Sequence, residues 1–441
     1  MRFHAGSAAA EKGHQGRSHS RPAPVCARPG TGTLCSVRRS KIGGGTPAGG
    51  GAAMVETAPQ QTKTRRIDGD SHFFPPPDFT GVSETIGVSE QALDMLLRDA
   101  LFFSDREARR GGFRASAAGQ RTGAVNPTAQ TTGQSRGPIG HGVADQRVKL
   151  LPETGFEMQV LIPDGIYGNP FGSPIERDWD KGLRLALCMG YNNATADAQR
   201  QYPDQLIGTG VVPFGTESVE ACAAEARRAV TELGLQALTI NSNWRGKNWD
   251  SVELYPFWEA VSELDVPLYV HGNPFQCQVN DHLPTNFTLG WERMRRMHIS
   301  NYLGFAFEYM VAMASLTLGG VLKEFPNLRM AFFEAGGSWL PWVMYTLDRV
   351  YQIEPQCARC EELPSELLAS SCLVAVEPDE QAIVGAVHTI GSRNFIIGSD
   401  YPHPPSTFPN TASGIETMEG LSDEAKRDIL GDNMARFFRM A

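Results

Sequence analysis

The sequence predicts an α/β fold, specifically a (β/α)8 barrel, and two observations carry that prediction. Eight short, nearly continuous apolar runs alternate with longer helical stretches, as in a parallel sheet buried on both faces. Several of these runs stop on an ionisable side chain followed by a turn, as expected where barrel strands deliver functional groups to one rim. A doubly wound sheet is the competing layout, but no GxGxxG follows the first strand, which disfavours a dinucleotide fold.

The elements follow in order. Residues 1–62 are rich in Gly, Ala, Pro, Ser and Arg and show no hydrophobic period. They cannot bury enough apolar surface to offset the entropy of ordering. They read as a disordered extension, or as an over-long start upstream of Met54. The barrel occupies residues 63–441, and its strands are expected at 65–73, 157–162, 206–214, 235–240, 266–270, 328–333, 372–376 and 394–399. A polar stretch at 104–145 reads as a long loop inserted after the first strand. The tail reads as two short helices, with Ser422 as N-cap of the first and Gly431 as its stop.

Charge and composition exclude several classes. The net charge of −9 argues against nucleic acid as a partner, and it hides an asymmetry. Residues 1–53 carry eight Lys/Arg against one Glu, so the remainder is about −16. The longest apolar run, YMVAMASLTLGGVL, is too short to span a bilayer. Eight scattered cysteines without an apolar leader predict free thiols in a reducing, cytoplasmic setting. Cys357 and Cys360 form a lone CxxC with no second pair to complete a zinc site.

The chemistry sits at the strand ends. In the first strand, Asp68, Asp70 and His72 alternate and would share one face. A buried polar trio of that kind is costly unless something binds it, so this is either a solvated edge strand or half of a metal site. Three more apolar strands run directly into His271, Glu334 and Asp400. In a parallel barrel all these ends meet on one rim.

The stretches IDGDSHFFPPPD, PLYVHGNP, GGVLKEFPNLRMAFFEAGGSWLPW, VEPDE, IIGSDYPHP and LSDEAKRDILGDNMARFF resemble the amidohydrolase superfamily. The nearest branch contains aminocarboxymuconate-semialdehyde decarboxylase and aromatic-acid decarboxylases. The resemblance implies that Asp70 and His72, His271 and Asp400 bind one divalent metal, with Asp400 also handling protons. That donor set suits Zn²⁺, and also Fe²⁺ or Mn²⁺. Two positions depart from the family pattern. Glu334 stands where a catalytic histidine is usual, and prolines 75–77 replace an acid after the first-strand histidine. Glu334 is thus a candidate general base, a ligand for a second metal, or a structural acid capping the Gly-Gly turn. The fourth strand offers no bridging lysine, so one metal is the expectation. By family analogy alone the chain forms a homodimer.

Further candidates for substrate binding each carry a plainer alternative. Arg245 would clamp a carboxylate or be a solvated loop arginine. His403 would touch substrate or fix its own turn, and His298 precedes a helix whose apolar face is core. Trp244, Trp249, Phe74 and Tyr401 would line an apolar pocket or merely pack. The expected function is metal-dependent hydrolysis of a small carboxylate-bearing or acyl substrate. Hydrolysis is favoured over non-oxidative decarboxylation because an acid, Glu334, replaces the histidine. A non-catalytic ligand-binding barrel is the reading from another class.

Overall fold

The computed structural model of the chain describes residues 65–93, 95, 139–164, 181–214, 217–244, 246–271, 303–403 and 406–440. Arg245, His298 and most of the 104–145 stretch lie outside the described residues. Eight strands pair in parallel and in chain order: β1 (Ile67–Phe73), β2 (Met158–Pro163), β3 (Leu206–Val211), β4 (Ala237–Ile240), β5 (Leu268–Val270), β6 (Met330–Phe332), β7 (Cys372–Val376) and β8 (Phe395–Ile397). The sheet returns on itself just past β8. Ser399 and Asp400 donate their backbone N–H groups to the Asp70 carbonyl at 3.1 and 3.0 Å, and His72 donates to Tyr401 at 2.8 Å. The expected (β/α)8 barrel is the fold.

Helices separate the strands: α1 (Ala144–Thr154), α2 (Lys181–Gln201), α3 (Val219–Arg227), α4 (Tyr255–Leu264) and α5 (Phe305–Leu316) follow β1 to β5, α6 (Leu340–Ile353) and α7 (Pro364–Ser371) both follow β6, and α8 (Ile383–Ile390) follows β7. Their ends obey local chemistry. Ser218 caps α3 by accepting the Ala221 N–H, and Asp265 ends α4 in a left-handed conformation. None of the described helices is long and apolar enough to cross a membrane.

The core has two layers because strand residues alternate inward and outward. Ile67, Met158, Val160, Ile162, Tyr269 and Phe333 belong to the inner cluster, which Met434 and Phe437 of the C-terminal helix also join. Leu238, Ile240, Leu268, Val270, Phe332 and Val374 lie on the other side, packed with the surrounding helices. In the tail, Ser422 caps a helix as expected, accepting the Ala425 N–H. Gly431 does not stop it: the chain continues as a π-turn into the next helix. The glycine has another reason, since a Cβ there would come within 2.1 Å of the Arg65 carbonyl oxygen.

Candidate metal centre

The inner face of β1 is re-aimed by a bulge. Asp68 pairs with Gln159 and Ser71 with Leu161, so Gly69 and Asp70 together oppose one residue of β2. Plain alternation therefore fails, and the expected three-residue face is corrected. Asp68 shares the side of its partner Gln159, between the inward-pointing Met158 and Val160. Asp70, in the bulge, and His72, beyond it, come together, with Asp70 Oδ1 3.7 Å from His72 Nε2. Asp68 is wholly buried and supports the strand. It accepts from Gln159 Nε2 at 2.9 Å, Ser399 N at 2.8 Å and Ser399 Oγ at 2.7 Å.

Four strand ends meet around His72. Its Nε2 lies 3.1 Å from Asp400 Oδ1 and 3.3 Å from Glu334 Oε1, and the same Glu334 oxygen is 2.9 Å from His271 Nε2. Asp70, His72, His271 and Glu334 offer ligand atoms all within 4.8 Å of one another, as do His72, Glu334, Asp400 and His403. Glu334 and Asp400 both occupy the left-handed backbone region, with φ of 60° and 52°. Glu334 lies two residues beyond β6 and Asp400 three beyond β8, and both carboxylates reach the cluster at the mouth. For a non-glycine residue this conformation costs on the order of 1–2 kcal/mol.

The Gly-Gly turn beyond Glu334 has its own cap, and it is not Glu334. Glu380 accepts the Gly337 and Ser338 backbone N–H groups at 3.0 and 2.8 Å and also the Ser338 hydroxyl. That leaves the Glu334 carboxylate for the cluster.

The electrostatics are those of mutual compensation. Burial pushes the Asp70 carboxyl up to about 8, and the neighbouring acids Glu334 and Asp400 add to the rise. Burial alone would lower His72 and His271, but the surrounding carboxylates hold both above the ordinary histidine value. Glu334, conversely, is held well below its usual range by the two imidazoles despite burial. Among the described residues Asp70 Oδ1 is fully buried with no hydrogen-bond partner, and an orphaned carboxylate oxygen inside a ring of N and O donors suits a divalent cation.

Other candidates divide. His403 has both ring nitrogens engaged within the protein. Nδ1 lies 2.9 Å from Asp400 Oδ1 and Nε2 3.2 Å from Asp164 Oδ1. Trp244 is buried in the outer core, edge-on to Phe214 at 4.7 Å, and Trp249 packs on Trp258. Phe74 stacks on His141 at 5.8 Å, and Tyr401 is buried with its hydroxyl donated to the Ile139 carbonyl. Cys357 and Cys360 are free thiols.

Sequence reasoning missed Asp164 and His141. Asp164 follows β2 as the other acids follow their strands, a signal that was available. His141 has no such local mark. It comes from the end of the polar stretch before α1 and pairs with Asp164 Oδ2 at 2.5 Å. Arg147 was also unmarked. Fully buried on α1, it donates to the His72 carbonyl, the Ser71 hydroxyl and the Gly140 carbonyl, fixing the end of β1.

Comparison with known proteins adds the lineage. A 2-amino-3-carboxymuconate-6-semialdehyde decarboxylase of Dictyostelium discoideum is 27% identical over 295 residues, covering 66% of this chain and 76% of the relative. A gamma-resorcylate decarboxylase of Rhodococcus jostii is 24% identical over 316 residues, covering 68% and 88%. Among solved structures, 5-carboxyvanillate decarboxylase from Novosphingobium aromaticivorans with bound manganese has a TM-score of 0.60. It is 21% identical and covers 86% of this chain and 98% of its own. A 2,6-dihydroxybenzoate decarboxylase in complex with 2,6-dihydroxybenzoate gives 0.59 at 17% identity, covering 86% and 99%. Residues 67–440 match the amidohydrolase family, almost the whole barrel, and the chain accordingly belongs to that family of metal-dependent enzymes.

Proposed function

We propose that this protein is a metal-dependent, non-oxidative decarboxylase of a small aromatic or unsaturated carboxylic acid. The observation that carries the reading is the cluster at the barrel mouth, with Asp70, His72 and His271 buried and Glu334 and Asp400 partly buried. Decarboxylases among the relatives turn it toward loss of CO₂ and away from the hydrolysis that the sequence favoured. Asp70, His72, His271 and Asp400 would hold one divalent ion, with Zn²⁺, Fe²⁺ and Mn²⁺ all suited to the donor set. When bound, the ion supplies a Lewis acid that draws electron density from the substrate's oxygens.

The chain's own residues supply the rest. The reaction adds a proton to the ring carbon that bears the carboxylate. The carbon–carboxyl bond then breaks, its electron pair returns to the ring, and CO₂ leaves without consumption of water. Asp400 Oδ1, held between His72 Nε2 and His403 Nδ1, is the atom assigned to deliver that proton. Glu334 is kept anionic by His271 and His72, so it is poorly suited to donate. Its role is to compensate the imidazoles and add a further oxygen donor.

Hydrolysis retains one specific support: the same anionic Glu334 would serve as base toward water. The test is metal-loaded protein with 2,6-dihydroxybenzoate and 5-carboxyvanillate, following CO₂, and with a simple aryl ester such as phenyl acetate in oxygen-18 water, following label in the acid released. CO₂ without label in the organic product is expected. Label in an acid product, with no CO₂, would replace this reading by hydrolysis. A protein that holds no metal, and whose metal content and stability ignore His271→Ala, would be the non-catalytic barrel.

A further inference from the structure

We propose that His141, Asp164 and His403 form a positioning line that fixes Asp400, with Asp164 as its centre. The inference rests on the assignment of Asp400 made above. Asp164 uses one oxygen for each histidine: Oδ1 meets His403 Nε2 at 3.2 Å and Oδ2 meets His141 Nε2 at 2.5 Å. His403 in turn places Nδ1 2.9 Å from Asp400 Oδ1, and its ring lies against His72 with centroids 3.9 Å apart. A histidine between two carboxylates has neither ring nitrogen left for a substrate, so its position rather than its free valence is what the site uses.

The outer end of the line is anchored by four separate features. Phe74 donates its backbone N–H to the His141 carbonyl at 2.7 Å, the Tyr401 hydroxyl donates to Ile139 O at 2.9 Å, and Arg147 Nε donates to Gly140 O at 2.9 Å. A Cβ on Gly142 would come within 2.4 Å of the Phe74 carbonyl oxygen, so only glycine allows the segment this close to β1. Residues 139–142 are thereby strapped to the end of β1, and His141 meets Asp164 as a fixed partner. Removing Asp164 leaves His403 free to turn about its own bonds, and Asp400 loses its second restraint. A mere stitch between the strap and β2 would hold the strap without acting on Asp400.

The test compares Asp164→Asn, Asp164→Glu and His141→Gln with the wild-type full chain. For D164N, Mn²⁺ affinity, measured by the electron paramagnetic resonance of free Mn²⁺, is expected to fall about tenfold. At saturating Mn²⁺, kcat on 2,6-dihydroxybenzoate is expected to fall roughly 10–100-fold with KM within about twofold. D164E should recover part of both losses, and H141Q should show a smaller loss of the same kind. Unchanged Mn²⁺ affinity and kcat in folded D164N would overturn the proposal. So would a rise in KM alone, which would make His403 a substrate contact. If D164N fails to fold, H141Q decides by the same two readouts. If wild-type protein releases no CO₂, the decarboxylase reading falls by itself, and the Mn²⁺ titration alone then judges the line.

Discussion

Asp68 offers the sharpest quantitative test, because its bonds to Gln159 and to Ser399 have different fates when it is removed. In Asp68→Ala, the Gln159 amide loses its carboxylate partner and has no acceptor in its place, at about 1–3 kcal/mol for a stranded buried donor. Ser399 is better placed. Its N–H and hydroxyl lie 3.1 and 3.2 Å from the Asp70 carbonyl and can redirect there, so these two bonds are weakened, not stranded. The sum is a loss of about 3–5 kcal/mol. Asp68→Asn should cost far less, about 1 kcal/mol. Gln159 Oε1 is a buried oxygen without a partner, so a flip of the Gln159 amide would present it to the side-chain N–H₂ group that D68N introduces. Urea unfolding of metal-free and metal-loaded protein measures both variants. Equal losses for alanine and asparagine would refute the reasoning, since they would mean that the carboxylate's charge, not its bonding pattern, holds the strand.

Three further outcomes follow from the same geometry. Gly398→Ala would bring a Cβ within 2.3 Å of the Asp70 Cβ. A stability loss of about 1–3 kcal/mol and weaker Mn²⁺ binding are expected, by thermal unfolding and metal titration. Elemental analysis should find one metal per chain, lost in Asp70→Ala and weakened about tenfold or more in Glu334→Ala; two metals in the wild type, falling to one without Glu334, would make the site dinuclear. In metal-free protein, stability should fall as pH rises from about 4 to 8. The folded Asp70 carboxyl, raised to about 8 by burial, binds a proton that the unfolded chain has released above its ordinary value near ~3.9. The raised His72 and His271 act in the same direction, their contribution being complete below about 6.5 and lost above it. Glu334 and Asp164 are depressed and matter only in acid, below about 4. A melting temperature that rises over this interval in the presence of EDTA would contradict the assignment.

The barrel was legible because strands buried on both faces are written as unbroken apolar runs, and an acid or histidine that ends such a run stands out. His271, Glu334 and Asp400 were found that way, and the structure brings them to one place with Asp70 and His72. Asp164 carries the same mark, but Pro163 before it made Ile162 look like the end of the strand. The bulge at Gly69–Asp70 was hidden for a deeper reason: two aspartates flanking a glycine look like simple alternation until the partner strand supplies the register. His141 and the double engagement of His403 depend on contacts between segments far apart in the chain, which no local pattern records.

The left-handed backbone at Glu334 and Asp400 sets the terms on which this site can persist through evolution. Glycine at either position would relax the main chain but delete a carboxylate, and at Glu334 it would leave His72 and His271 without their shared counter-charge. Backbone ease and charge balance therefore pull these two codons in opposite directions. A change that unstrains the turn also unsettles the histidines it faces.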